Sequence, residues 1–264
     1  MPRLREIYAY PYVGWWDRPW PGQRPRDSEE PWDDALLDLD AAARSARRVT
    51  ESVSQALKAL GVEAPRGQLM LELRVGDGGG VELEFLERFL DPSDRMTGRV
   101  RIPVGFRLLA PAERARMLGE AVIETAHRRA VLHGWDVEAV DEALRAVADD
   151  GFRAYAESPW KPSRNRKRQV RLCGEIADDG YLRMWLEIDD AATGGGLRRS
   201  DAVVGWTWLE NVARAGKKMR FDGDSSLRFG SGSADHEFEA VVDLESGAAT
   251  RTPEVPVPLS YPGT

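Results

Sequence analysis

The sequence predicts an α+β protein: an antiparallel sheet with helices packed on one face in the N-terminal half, and a β-rich C-terminal half with one short helix. Three observations predict this class. Three segments before residue 150 carry helix signals, and in the first of them, residues 33–60, apolar residues recur every three or four positions, the period of an amphipathic helix. In the segments between them apolar and polar residues alternate, as in half-buried strands. After residue 168 alternating runs separated by glycine-containing turns dominate.

The first strand is predicted at residues 4–16, where two sets of side chains alternate. Ile7 and Trp15 belong to one set, and Tyr8 belongs to the other together with Tyr10, Tyr12 and Trp16. Pro11 interrupts the run, which indicates an edge strand, because proline has no N–H group for a neighbouring strand. The segment that follows, "DRPWPGQRPRDSEEP", is predicted to be a loop from its proline and glycine content.

Three helices are predicted in the N-terminal half, and the signals at their ends support them. Asp33 or Asp34 can cap the first helix, and Gly61 can take the left-handed conformation that ends it. Pro111 is suited to the first turn of the second helix, where its missing N–H costs nothing. Asp136 can cap the third helix. The predicted helices are residues 33–60, 111–132 and 136–148.

Three strands are predicted between the first and second helices. The runs "QLMLELRV" and "VELEFLERF", joined by "GDGGG", predict a β-hairpin. The run "RVRIPVGF" predicts a third strand whose inward residues are Val100, Ile102, Val104 and Phe106. On the outward face, Glu82 and Glu84 are predicted to face Arg99 and Arg101 of the neighbouring strand. Opposite charges across strands stabilise a sheet by roughly 0.2–1 kcal/mol per pair.

The C-terminal half is predicted to be a second domain. The proposed division is residues 1–158 and 169–264, joined by a basic linker at 159–168, with one continuous domain as the alternative. "RQVRLCGEI" and "YLRMWLEID" predict a hairpin, and "SSLRFG" and "HEFEAVVDLES" predict strands. "TWLE" has capping-box spacing for the one short helix, which Gly216 is predicted to end.

Composition excludes several classes of function. The net charge of −7 argues against a general nucleic-acid binder, which needs an excess of Lys and Arg. The single cysteine, Cys173, excludes an intramolecular disulfide and a multi-cysteine metal site. No run approaches the ~20 apolar residues that cross a bilayer. The sequence therefore predicts a cytoplasmic bacterial protein with no membrane segment and no cofactor.

Catalytic and metal-binding patterns are weak in this sequence. Glu120, Glu124 and His127 share one helix face at i, i+4 and i+7, so they are the best candidates for a hydrolase site or a metal. Flanking arginines favour a solvated charged face instead, and no metal is assigned. "FGSGSADH" lacks the nucleophile-elbow pattern and is interpreted as a polar turn. Cys173 lies in a strand pattern that favours a packing role.

Two segments are candidates for binding. In the basic run 161–171, a possible anion or nucleic-acid contact is formed by Arg164, Arg166, Lys167 and Arg168. A solvated linker is the alternative interpretation of this run. In the N-terminal segment, aromatic side chains of the kind that dominate interface hot spots form a predicted partner surface. They are Tyr8, Tyr10, Tyr12, Trp16 and Trp20.

The sequence therefore favours a non-catalytic intracellular bacterial protein that binds another protein, as an inhibitor, an immunity-type protein or an accessory subunit. Two alternatives remain open at this point. One is a hydrolase-type enzyme built around Glu120, Glu124 and His127, and the other is a nucleic-acid-associated protein that uses the basic run 161–171.

Overall fold

The computed structural model describes residues 1–11, 33–190, 194–205, 208–232, 237–255 and 261, with the backbone alone at Tyr10 and Pro11. These residues contain four α-helices and fourteen strands, which confirms the α+β class. Internal contacts divide the chain into two units. Unit 1 comprises residues 1–154, 178–180 and 258–264, and unit 2 comprises residues 155–177 and 181–257.

The helices of unit 1 confirm the three predicted ones. They are α1 (Asp34–Ala59), α2 (Pro111–His133) and α3 (Val137–Asp149). The side chain of Asp33 accepts a hydrogen bond from the N–H of Leu36, as expected of an N-cap. Asp136 caps α3 in the same way through Ala139. Because Gly61 and Gly134 have φ values of 69° and 65°, the chain turns away after α1 and α2.

The sheet of unit 1 contains β1 (Glu6–Pro11), β2 (Gln68–Gly76), β3 (Glu82–Glu84) and β4 (Met96–Pro103). Its order is β1-β2-β4-β3, with β1 and β4 parallel to β2 and with β3 antiparallel to β4. The predicted hairpin between "QLMLELRV" and "VELEFLERF" is therefore wrong, because β4 lies between these two runs. Alternation specifies which face of a strand is buried, but it does not specify the neighbouring strand.

The helices of unit 1 pack on one face of this sheet. Helix α1 contacts β1 and β2, while α2 packs against α1 and reaches β4. The side chains that point to the helices are buried, and they include Ile7, Ala9, Leu69, Leu71, Leu73, Val100 and Ile102. Phe106 is also buried, as predicted, but Val104 is 70% exposed. The inward prediction for Val104 is wrong because β4 ends at Pro103, where the alternation ends too.

Unit 2 contains a six-stranded sheet of order β10-β8-β7-β5, with β6 paired to β7 and β9 paired to β8. Its strands are β5 (Ala154–Glu157), β6 (Lys161–Pro162), β7 (Gln169–Ile176), β8 (Leu182–Asp189), β9 (Leu197–Arg199) and β10 (Val203–Gly205). Strands β7 and β8 pair antiparallel, with Gln169 opposite Asp189 at one end and Ile176 opposite Leu182 at the other. This pairing confirms the predicted hairpin.

A second sheet of unit 2 is an antiparallel meander of order β11-β12-β13-β14. Its strands are β11 (Arg220–Asp222), β12 (Ser226–Gly230), β13 (Glu239–Asp243) and β14 (Ala249–Thr252). Before it lies the predicted short helix, α4 (Asn211–Lys218). Thr207, the predicted N-cap in "TWLE", lies outside the described residues. Helix α4 begins after Glu210, whose side chain makes no cap hydrogen bond, and it continues two residues past Gly216. None of the described helices has the length and apolar character needed to cross a bilayer.

Candidate functional site

The face of the unit 1 sheet that points away from the helices, here called the outer face, carries a connected group of charged side chains. On β1, Ile7 is buried on the helix side and Tyr8 alternates with it, half-buried. The strand register places Tyr8 opposite Met70 and places Tyr10 opposite Glu72. The tyrosines predicted as a partner surface at Tyr8 and Tyr10 therefore occupy positions on the outer face, in register with β2.

Beside β1, six charged side chains on β2, β3, β4 and the turn after β3 form a connected group, here called the arginine network. They are Glu72, Arg74, Glu84, Arg88, Arg99 and Arg101. Glu72 lies 2.6 Å from Arg74, 3.3 Å from Arg88 and 3.1 Å from Arg99. Glu84 lies 3.2 Å from Arg99 and 3.0 Å from Arg101. Two carboxylates thus hold four guanidinium groups.

This network confirms the predicted charge pairing across β3 and β4. Glu84 is opposite Arg99 and Glu82 is opposite Arg101 in the observed register. Glu72, Arg74 and Arg88 are the members of the network that the sequence did not single out. The link of Glu72 to Arg99 depends on β2 and β4 being neighbours, a pairing that was not predicted. The only signal of Glu72 in the sequence was that Glu72 and Arg74 alternate with the leucines of β2.

Within the arginine network, Glu72 is buried, Arg99 is largely buried and the other arginines are more exposed. The side chain of Glu72 is 8% exposed and that of Arg99 is 12% exposed. The outer arginines are much more open, with 52% exposure at Arg74, 57% at Arg88 and 40% at Arg101. The buried Glu72 holds Arg74 and Arg88, and the more exposed Glu84 holds Arg101, so each of these arginines is fixed while its outer surface faces solvent.

The electrostatics of Glu72 follow from this arrangement. Burial opposes ionisation of the carboxyl group, but the hydrogen bonds and charges of Arg74 and Arg99 outweigh it and hold the pKa of Glu72 below its ordinary value of 4.5. The pKa of Glu84 is lowered too: partial desolvation opposes ionisation, and the hydrogen bonds and charges of Arg101 and Arg99 outweigh it. Both carboxylates are therefore ionised at neutral pH.

A pH dependence of stability follows for Glu72. Because its pKa is lower in the folded state, its contribution is fully present above the unfolded pKa of about 4.5 and is lost as pH falls through the folded value. We expect Glu72→Gln to lower the free energy of unfolding at pH 7 by about 1–3 kcal/mol, with a smaller difference from wild type at pH 3. Urea denaturation at the two pH values measures this. An equal difference at both would show that the charge of Glu72 is not what stabilises the fold.

The metal or catalytic candidates on α2 have separate partners. Glu120 pairs with Arg116 at 3.1 Å and Glu124 pairs with Arg128 at 2.6 Å, both within α2. His127 reaches across to α3, where its Nδ1 atom lies 2.7 Å from a carboxylate oxygen of Asp141. Among the described residues, no group of three His, Cys, Asp or Glu side chains is arranged to hold a metal ion. These contacts favour the interpretation of this surface as a solvated charged face.

The nucleophile candidates lie in unit 2, and Cys173 and Ser231, the two that the structure describes, are buried. Cys173 is fully buried, and the hydroxyl group of Tyr155 donates a hydrogen bond to its sulfur at 3.2 Å. Burial raises the pKa of the Cys173 thiol, so the reactive thiolate is disfavoured. Ser231 is buried, and residues 233–236 of "FGSGSADH" lie outside the described part of the chain.

The basic segment lies in unit 2 and includes β6, which pairs with β7. Arg168 has a structural role, because its side chain contacts Asp190 at 3.0 Å and the carbonyl oxygen of Asp224 at 3.2 Å. Arg164, Arg166 and Lys167 are exposed on the turn before β7. Of the four residues predicted to contact an anion, Arg168 is therefore engaged by the protein itself, while the other three are exposed to solvent.

The remaining predicted partner residues, Tyr12, Trp16 and Trp20, lie outside the described residues, and for Tyr10 only the backbone position is described. Comparison of the chain with protein-family models, with curated proteins and with solved structures gives no match.

Proposed function

We propose that this chain is a non-catalytic intracellular protein that binds an acidic protein partner through the outer face of the unit 1 sheet. An inhibitor, an immunity-type protein or an accessory subunit of a bacterial system fits this role. The observation that supports the proposal is the arginine network, in which Arg74, Arg88 and Arg101 are held by carboxylates and still exposed.

The chemistry of the outer face suits a protein interface. Arginine and tyrosine are enriched among the residues that contribute most to binding energy at interfaces. The guanidinium group binds carboxylates with two parallel hydrogen bonds, so an acidic surface supplies matching acceptors. Four arginines and two glutamates give the network an excess of positive charge, although the whole chain carries a net charge of −7.

The fixed positions of the arginines favour binding for a second reason. Immobilising a long flexible side chain at an interface costs roughly 0.5–1.5 kcal/mol. Glu72 and Glu84 already hold the arginines in place, so part of this ordering takes place when the protein folds. An acidic partner then meets a surface that is largely preorganised.

The test is capture of partners from a lysate of the source bacterium, followed by affinity measurement on the purified partner. We expect the double variant Arg74→Glu, Arg101→Glu to bind about 10–100-fold more weakly than wild type, because each change places a negative charge against an acidic surface. The wild-type affinity should also fall as the salt concentration rises from about 50 to 500 mM.

The matched control makes the same change of charge elsewhere in unit 1. The double variant Arg116→Glu, Arg145→Glu reverses two exposed arginines on α2 and α3, and it should retain wild-type affinity. Equal affinity of wild type and the Arg74, Arg101 variant would contradict the proposal. So would a partner that both double variants lose equally, because total charge and not the outer face would then decide binding.

A further inference from the structure

A cavity of about 490 Å³ lies in unit 1 where the C-terminal ends of α1 and α2 meet the start of α3. Its volume is within the usual range of small-ligand sites, roughly 300–1,000 Å³. Apolar walls are supplied by Leu60, Val62 and Val140, and an aromatic wall is supplied by Trp135. The cavity is separate from the outer face and from the α2 residues Glu120, Glu124 and His127, none of which lines it.

The aromatic wall is held in place before any ligand binds. The indole ring of Trp135 stacks on the imidazole ring of His133, with ring centres 5.3 Å apart and planes 19° from parallel. The indole Nε1 donates a hydrogen bond to the carbonyl oxygen of Glu63 at 3.0 Å, and the backbone N–H of Trp135 donates to Ala130 at 2.9 Å. A ligand that packs on this ring therefore loses little free energy in ordering it.

The charges around the cavity are mostly negative. The carboxylates of Glu63 and Asp136 line it, and none of its lining residues is a lysine or an arginine. The C-terminal ends of α1 and α2 each add a partial negative charge, and together these outweigh the partial positive charge of the α3 N-terminus, which Asp136 caps. Burial, with a smaller effect of the nearby Arg129 charge, lowers the pKa of His133, so its imidazole adds no positive charge at neutral pH.

One positive group already occupies the edge of the cavity. The amino group of Met1 lies 3.0 Å from a carboxylate oxygen of Glu63, and Met1 is among the lining residues. The Glu63 side chain stays 53% exposed in this pair, so a second ammonium group can reach its carboxylate.

We propose that this cavity binds a small organic cation, meaning an apolar or aromatic body that carries an ammonium group. The apolar body packs against Leu60, Val62 and Val140. The ammonium group lies near Glu63 and the indole of Trp135, where a carboxylate and the face of an aromatic ring both attract a cation. An uncharged molecule of the same size retains the apolar contacts and loses both electrostatic ones.

Saturation-transfer NMR on the full chain tests this proposal with two probes of matched size, 2-phenylethylammonium and uncharged 2-phenylethanol. We expect the cation to bind at least about tenfold more tightly than the alcohol, a difference of about 1.4 kcal/mol. Glu63→Gln and Trp135→Leu should each weaken binding of the cation, while Glu138→Gln, an exposed carboxylate on α3 that does not line the cavity, should leave it unchanged.

Each other result would overturn the proposal. Equal binding of the two probes would show an apolar cavity without selectivity for a cation. Absence of binding by the cation would show that the cavity is no site for this class of ligand. Binding that survives both Glu63→Gln and Trp135→Leu would place the cation elsewhere. If Trp135→Leu does not fold, Trp135→Phe keeps an aromatic ring without its hydrogen bond, and Glu63→Gln still distinguishes the outcomes.

Discussion

Replacing Asp38 by alanine should lower the free energy of unfolding by about 3–5 kcal/mol, the usual cost of removing one partner of a buried ion pair. Asp38 lies on α1 and is fully buried. Its carboxylate accepts hydrogen bonds from the backbone N–H groups of Gly105 and Arg107, at 2.7 and 2.9 Å, and from the Arg107 guanidinium group at 3.0 Å. One side chain thus joins α1 to the turn between β4 and α2.

The large effect is expected because three donors lose their acceptor together. The Arg107 side chain is largely buried, so water cannot replace the carboxylate freely, and an unsatisfied buried donor costs roughly 1–3 kcal/mol. Urea denaturation followed by circular dichroism measures the change.

Asp34 provides a matched control for Asp38. It is on the same helix and pairs with the same arginine at 2.7 Å, but its side chain is mostly exposed. Exposed ion pairs contribute roughly 0–1 kcal/mol, so Asp34→Ala should change stability by no more than that. If Asp38→Ala cost no more than Asp34→Ala, the buried carboxylate would not be what secures the turn.

The second large effect is expected in unit 2, where Gly216→Ala should destabilise the fold by about 1–3 kcal/mol. A Cβ atom at Gly216 would lie 2.1 Å from Cβ of Ser158 and 2.4 Å from its Oγ. Ser158 is buried, and its hydroxyl group accepts a hydrogen bond from the N–H of Leu172 and donates one to the carbonyl oxygen of Pro159. Because Ser158 cannot move without losing these bonds, the added methyl group creates overpacking strain.

The sign of this prediction distinguishes tertiary contact from helix propensity. Alanine favours a helix by about 1 kcal/mol over glycine, so a Gly216 that had no close neighbour would give a stabilised protein. Thermal unfolding of Gly216→Ala decides between the two. The double variant Gly216→Ala, Ser158→Gly removes the clashing Cβ and should be more stable than the two single effects added together. Additive effects, or a stabilised single variant, would contradict the contact.

Gly216 is also a position where a local sequence pattern led to a wrong prediction. A glycine late in a helical segment is the usual signal of a helix end, and it predicted an end at this residue. In the structure Gly216 lies inside α4, and the absence of a side chain serves the approach to Ser158. The partner is 58 residues earlier in the chain, so no local pattern could have indicated it.

The helices of unit 1 were predictable for the opposite reason. Asp33, Gly61, Pro111 and Asp136 are signals that act within a turn or two of their own position, and the structure confirms the ends they predicted. The strand neighbours were not predictable from alternation alone, because β2 pairs with β4 and not with β3.

Some of the contacts on the outer face could be predicted from the sequence. Glu84 and Arg99 lie on sequence-adjacent strands, and their alternation was sufficient to predict that they face each other. The buried carboxylate of Glu72 completes the arginine network only through the parallel pairing of β2 with β4. Side chains that meet through a non-local strand pair therefore cannot be identified as a group from a single sequence.

The parallel pairing of β1 with β2 has a consequence for how the protein is made. Glu6 is opposite Gln68, 62 residues later, so β1 leaves the ribosome long before its partner exists. At roughly 5–20 residues per second, the delay is on the order of several seconds. During synthesis the backbone donors and acceptors of this tyrosine-bearing strand do not yet have β2 to pair with. They can therefore pair with a strand of another nascent chain. Pro11, at the end of β1, offers no donor to such a pairing and limits its length.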